Sequence, residues 1–188
     1  MSPIESAVAA DGAALAGMWR IELLHPAVVH FPVALVLTAA GFWLAGLVLG
    51  RRPGCAWLHP ATTALVALSA PSAWAAVATG EWADAVVGRT LFDPRVLEAH
   101  ENTAKLLALL MSVAAGIALL RHWQRLSRRQ RSLLSAFTGA LLLCGCALLG
   151  YIGHLGASLV YQQGAAVQAP SMAGNPAAAF AREPVSPP

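Results

Sequence analysis

The chain has 188 residues, of which 57% are hydrophobic and only 11% charged, with a mean hydropathy of +0.62. A water-soluble domain carries about 25% charged residues, so the composition excludes an aqueous globule and points to an integral membrane protein of one domain. Cys55, Cys144 and Cys146 are odd in number and two of them sit in one apolar run, as expected of buried thiols rather than a disulfide framework. No Cys-x-x-Cys-His occurs, so covalent haem attachment is excluded.

Residues 1–24 are Ala-rich and carry Glu5, Asp11, Arg20 and Glu22. A cleaved signal needs a basic start, so this segment is expected to stay, with Met18, Trp19, Ile21, Leu23 and Leu24 lying in the membrane interface. A first span is expected over about 26–50, without a charge and long enough for a ~30 Å hydrocarbon core. Gly41, Ala45, Gly46 and Gly50 give it small-xxx-small spacing for close helix approach. After the basic turn Arg51-Arg52-Pro53-Gly54, a second uncharged span is expected over about 56–80, with a kink at Pro71.

A polar loop is then expected over 81–97, carrying Glu81, Asp84, Arg89, Asp93, Arg95 and Glu98. A third span follows at about 99–120, with His100, Glu101, Asn102 and Lys105 in its first turns and Glu101 and Lys105 spaced to pair. The link 121–131 contributes Arg121, Arg125, Arg128, Arg129 and Arg131. The fourth span, about 132–160, has His154 and the glycines Gly145, Gly150, Gly153 and Gly156. Residues 163–188 read as a disordered tail of Pro, Ala, Gln and Ser.

The expected fold is therefore an all-α integral membrane bundle of four transmembrane helices within 25–162. Seven arginines and no acids fall in the two links on one side, and all nine carboxylates fall on the other. The positive-inside rule then puts both termini on the outer, periplasmic side. This asymmetry accounts for the net charge of +3, and no nucleic-acid partner is expected; the lipid bilayer is.

The six histidines sort by side. His59 and His122 fall in the basic turns, whereas His25, His30, His100 and His154 fall at the outer ends of spans one, three and four. An ionisable side chain in a membrane is a functional hypothesis by default, and neutral imidazoles gathered at one level suit a haem or a metal. The plainer reading is that the histidines only fasten helices together through backbone carbonyls. Between cofactors a single b-type haem is favoured, with His30 and His154 as ligands across the bundle, and His100 and His25 beside them. Arg89, Arg95 or Lys105 would meet the propionates. His25 and His30 are five apart, about 140° around a straight helix, so they are assigned different tasks. The rival is a transition-metal site of His30, His154, His100 and Glu101. No hydrolase or phosphate-loop motif occurs, so an electron carrier or subunit is expected rather than a stand-alone enzyme. Its acidic outer face would suit a basic periplasmic electron carrier.

Four stretches carry a family resemblance: Leu24 to Pro32, Thr79-Gly80, Leu97-Glu98-Ala99-His100-Glu101, and Gly153-His154-Leu155-Gly156 running into Leu159-Val160-Tyr161 and Gly164. Over roughly residues 20–167 the chain resembles the bacterial membrane family "domain of unknown function twenty-two thirty-one". The resemblance implies a four-helix protein of the bacterial cytoplasmic membrane, found in respiratory or cytochrome contexts, with respiratory subunits as partners. Members often carry a glycine where this chain has Ala157 and a histidine where it has Gln163.

Overall fold

The computed structural model describes residues 20–50 and 52–167. The expected disordered tail beyond 167 and most of the expected interfacial segment, Met18 and Trp19 included, lie outside the described residues. A 3-10 turn, Ile21–Leu23, leads into α1 (Leu24–Val28) and α2 (His30–Leu49). Then come α3 (Leu58–Val87), a second 3-10 turn at Gly88–Thr90, α4 (Pro94–Leu120) and α5 (Arg128–Gln163). Taking α1 and α2 as one segment, four helices are long and apolar enough to cross a membrane. Among the described residues there is no strand.

Local chemistry explains the boundaries. Pro32 has no N–H for the Val28 carbonyl, so the first span loosens at Val29, where the bond from Val33 N to Val29 O is 3.3 Å. Asp93 caps α4 by accepting from Arg95 N at 3.0 Å, with Pro94 in the first turn. Ser127 and Gln130 form a capping box at the start of α5. Gly164, at φ +69°, ends α5 in a left-handed turn whose next amide, Ala165 N, reaches back to Leu159 O at 3.0 Å.

The expected loop over 81–97 is not a loop. α3 runs on through Glu81, Trp82 and Asp84 to Val87, and α4 starts at Pro94 rather than near 99. Gly80 lies within the helix, its missing side chain leaves room for the His25 ring, and Ala83 and Val87 continue the inward face. Pro71 lies inside α3 and withholds an N–H from the Ala67 carbonyl four residues back; Ser69 donates to the neighbouring Val66 O and Ser72 to Ser69 O.

Consecutive spans pack against each other, and the first also touches the fourth, closing a ring. Each helix turns inward one seam of non-exposed residues at alternating steps of three and four. On the first span it reads His25, Val29, Pro32, Val36, Ala39, Trp43, Gly46, Gly50. On α3 it reads His59, Thr62, Val66, Ser69, Ala73, Ala76, Gly80, and on α4 His100, Ala104, Leu107, Met111, Ala114, Ala118, Arg121. On α5 it reads Ser135, Thr138, Leu142, Gly145, Leu149, Ile152, Gly156, Leu159. A 3.5-residue period is that of left-handed supercoiled packing. The core at mid-height is small and dry, with Val36, Val66, Met111, Ala114 and Leu142 fully buried. Large apolar side chains elsewhere are exposed, as a lipid-facing surface requires; aromatics mark both ends, Trp82, Phe92 and Tyr161 at one and Trp57 and Trp123 at the other.

Candidate functional site

At the end holding Arg20, the 88–93 link and the close of α5, the four seams separate around a cavity of about 390 Å³. Its walls are apolar: Val29, Pro32 and Val33 from the first span, Ala73, Ala76 and Val77 from α3, Leu107 from α4, and Leu149, Ile152 and Leu159 from α5. Gly80, Gly153 and Gly156 widen it, and Leu91, Ala165 and Ala166 border it above. Gln163 binds Asp93 twice, accepting from its N–H at 2.8 Å and donating to its carbonyl at 3.3 Å. This fastens the link to α5, so the residue standing where relatives were expected to carry histidine is here a backbone clamp.

Two histidines border the cavity. His25 and His100 meet edge-on, with ring centroids 6.2 Å apart and planes at 83°. His25 Nδ1 lies 3.0 Å from Ala76 O, and His100 Nδ1 lies 3.2 Å from Ile152 O. A carbonyl only accepts, so in both rings Nδ1 carries the proton, and in the neutral ring Nε2 is left as a lone-pair atom. Each neutral imidazole can therefore offer at Nε2 a base or a ligand, and no donor.

Glu22, Glu81, Asp84, Glu101 and Lys105 also border the cavity. Glu22 is 6% exposed and pairs with Arg20. Lys105 Nζ lies 3.2 Å from Glu81 and 3.9 Å from Glu101, the second being the expected helical pair. Arg89 and Arg95 are exposed and do not border the cavity. Among the described residues Lys105 is thus the one lysine or arginine on its wall.

His30 and His154, the leading pair from sequence, are both exposed and neither borders the cavity. His30 Nδ1 is 2.6 Å from Pro26 O on its own helix. The reason is angular. His30 is five residues from the seam position His25, and His154 is two from both Ile152 and Gly156, so each turns away from the seam. The structure brings His25 and His100 together instead. The four-residue metal alternative of His30, His154, His100 and Glu101 is not assembled, and among the described residues no three His, Cys, Asp or Glu side chains are gathered to hold a metal ion. Cys55, Cys144 and Cys146 are free thiols.

The arginine-rich end holds the other two histidines. His59 packs on Gly46 and Gly50, so that a Cβ on Gly46 would lie 3.3 Å from its Cε1. His122 Nε2 is 3.0 Å from Thr63 Oγ1. Trp43 fills the seam there, its indole over Gly139 and its Nε1 donating to Ser135 O at 2.9 Å. The space that remains is about 10 Å³. Burial and the nearby Arg131 charge push the Arg121 guanidinium below its ordinary value.

No curated protein and no solved structure matches the chain. One family does match, over residues 22–169, and this interval spans all four helices and both cavity histidines. The chain belongs to the family described as "Predicted membrane protein (DUF2231)".

Proposed function

We propose that this membrane protein binds a single b-type haem in the cavity, where His25 and His100 would hold it, and acts in electron transfer. The observation that carries the reading is the imidazole pair. Two imidazoles bound to one iron stand with ring centres about 6–6.5 Å apart, given metal–nitrogen bonds of about 2.0–2.1 Å; the observed separation is 6.2 Å. The Nδ1–H groups donate to backbone carbonyls, which is how histidine ligands are commonly oriented and made more basic. A bare ion needs a third or fourth protein ligand, whereas a porphyrin brings four of its own. The apolar walls suit a macrocycle and exclude water; the glycines leave its faces room.

When bound, the haem would supply a one-electron carrier whose potential responds to ligand basicity and solvent exposure. The chain's own residues orient the rings, keep the pocket dry and set the charge at its rim. There Lys105 would pair with a propionate by leaving Glu81 or Glu101. The arginine-rich end, by the positive-inside rule, faces the cytoplasm. The cavity then opens to the outer side of a bacterial cytoplasmic membrane, where a basic periplasmic carrier or a respiratory subunit would meet the acidic rim.

The test is an optical spectrum of the full chain purified in detergent with haem supplied during expression. One haem per chain, with a Soret band that sharpens on reduction, is expected. A colourless protein of unchanged helicity sinks the reading and favours the rival, in which the histidines only fasten helices, as His59 does at the other end. For orientation, a cysteine at Phe92 should react with an impermeant reagent in intact cells and one at Gln130 should not; the reverse moves the site to the cytoplasmic face.

A further inference from the structure

The two histidines are held in the same way by equivalent parts of the chain. His25 reaches a carbonyl 51 residues on, at Ala76, and His100 reaches one 52 residues on, at Ile152. In each case the acceptor belongs to the next helix, and the residue one turn further along that helix is a glycine against the imidazole. A Cβ on Gly80 would lie 3.2 Å from His25 Cε1, and one on Gly156 would lie 3.4 Å from His100 Cε1. The first two spans and the last two thus form two hairpins with matching seams, the spacing expected of membrane proteins built from parallel repeats. The cavity lies where the hairpins meet.

From this juxtaposition we infer that Gly80 and Gly156 are matched positioning residues. Each holds its neighbour's imidazole between a carbonyl and a bare stretch of helix, so that both rings keep the Nδ1–H tautomer and present Nε2 to one ligand shared between the halves. The inference rests on the haem reading for the identity of that ligand, and not for the cradles themselves. The carbonyl fixes which nitrogen is protonated. The glycine fixes how closely the ring can lie against the facing helix, and therefore where Nε2 stands. The cradles are not equally tight. An added methyl at Gly80 must displace the His25 ring by a few tenths of an ångström, whereas at Gly156 it reaches ordinary contact.

The cradles are tested in the full chain without haem, reconstituted in lipid nanodiscs and labelled with ¹⁵N-histidine. Single His25→Gln and His100→Gln variants assign the resonances. Both rings should be neutral with the proton on Nδ1, and Gly80→Ala should shift the His25 signals more than Gly156→Ala shifts those of His100. A proton on Nε2 of either ring, or indifference of His25 to Gly80→Ala, overturns the inference. With haem bound, the ferric protein should give the low-spin signal of two near-perpendicular imidazoles. Gly80→Ala should alter that signal and weaken haem affinity by about 10- to 100-fold, the usual cost of disturbing a ligand's orienting partner, while Gly156→Ala has the smaller effect. If no haem binds but the tautomers and the Gly80 response are as stated, the haem reading falls and the cradles stand.

Discussion

The two ends of the bundle use the same part and reach opposite results. At the arginine-rich end His59 lies on Gly46 and Gly50, Trp43 covers Gly139, and about 10 Å³ is left. At the other end His25 lies on Gly80 and His100 on Gly156, no aromatic occupies the seam, and about 390 Å³ is left. A histidine against a glycine is therefore not in itself a site. What separates the ends is the filler: an indole bonded across the bundle at one, and Val29, Ala76, Ala104 and Gly153 at the other. Close packing brings dispersion and rigidity, and a bundle that forgoes it at one end has room there for a guest.

The comparison breaks most sharply at the histidines. His25→Ala and His100→Ala should each abolish haem retention, read as Soret absorbance per chain, with the protein still inserted. His30→Ala, His154→Ala, His59→Ala and His122→Ala should keep the full complement; loss in either of the first two would return the ligand role to the exposed pair. Next in size is a variant that makes the open end resemble the closed one. A Cβ at Gly153 meets nothing within 4 Å, so Gly153→Leu should fill the cavity and exclude most of the haem without lowering the melting temperature of the haem-free protein. Retained stoichiometry would mean that the guest lies elsewhere.

The opposite change empties the packed end. Trp43→Ala removes an indole packed on the core and its bond to Ser135 O, and should cost about 3 kcal/mol, seen as an earlier thermal transition in detergent. Haem stoichiometry at low temperature should hold; joint loss of both would show that the ends are not separable. The smallest effect is at the rim. Lys105→Gln breaks a half-exposed pair with Glu81, a contact of the kind that contributes under ~1 kcal/mol. It should leave the melting temperature nearly unchanged and loosen haem only slightly.

The four spans were legible because a membrane demands long uncharged runs, and no tertiary contact can disguise them. The extension of α3 past Gly80 was not. Glu81 and Asp84 read as the start of a loop, whereas the helix simply leaves the apolar layer and continues. The sequence places four histidines at one end of the bundle; the structure brings His25 and His100 to the cavity wall and leaves His30 and His154 exposed, and that division is one of helical phase. The angle between His25 and His30 was available from their spacing alone. Which of the two faces inward was written in the alternating three-and-four seam through Val29, Pro32, Val36 and Ala39, and its counterpart through Leu107, Met111, Ala114 and Ala118. Both seams are made of small or ordinary apolar residues in sequences rich in them, so the pattern stands out only once burial marks it. The carbonyl partners Ala76 and Ile152 left no trace in residue type, since any residue supplies a carbonyl.

The run of α3 past Gly80 has an electrical consequence. At ~1.5 Å per residue, its 30 residues exceed a ~30 Å hydrocarbon core, and Trp82, on the turn after Gly80, is exposed, as suits an indole among headgroups. With the four spans set across such a core, the His25–His100 pair would lie nearer one surface than the other. If a haem is held there as proposed, an electron delivered from that surface would traverse the smaller part of the transmembrane voltage, and its uptake would respond little to membrane energisation. One arriving from the arginine-rich side would traverse the larger part, at up to about 2.3 kcal/mol per 100 mV.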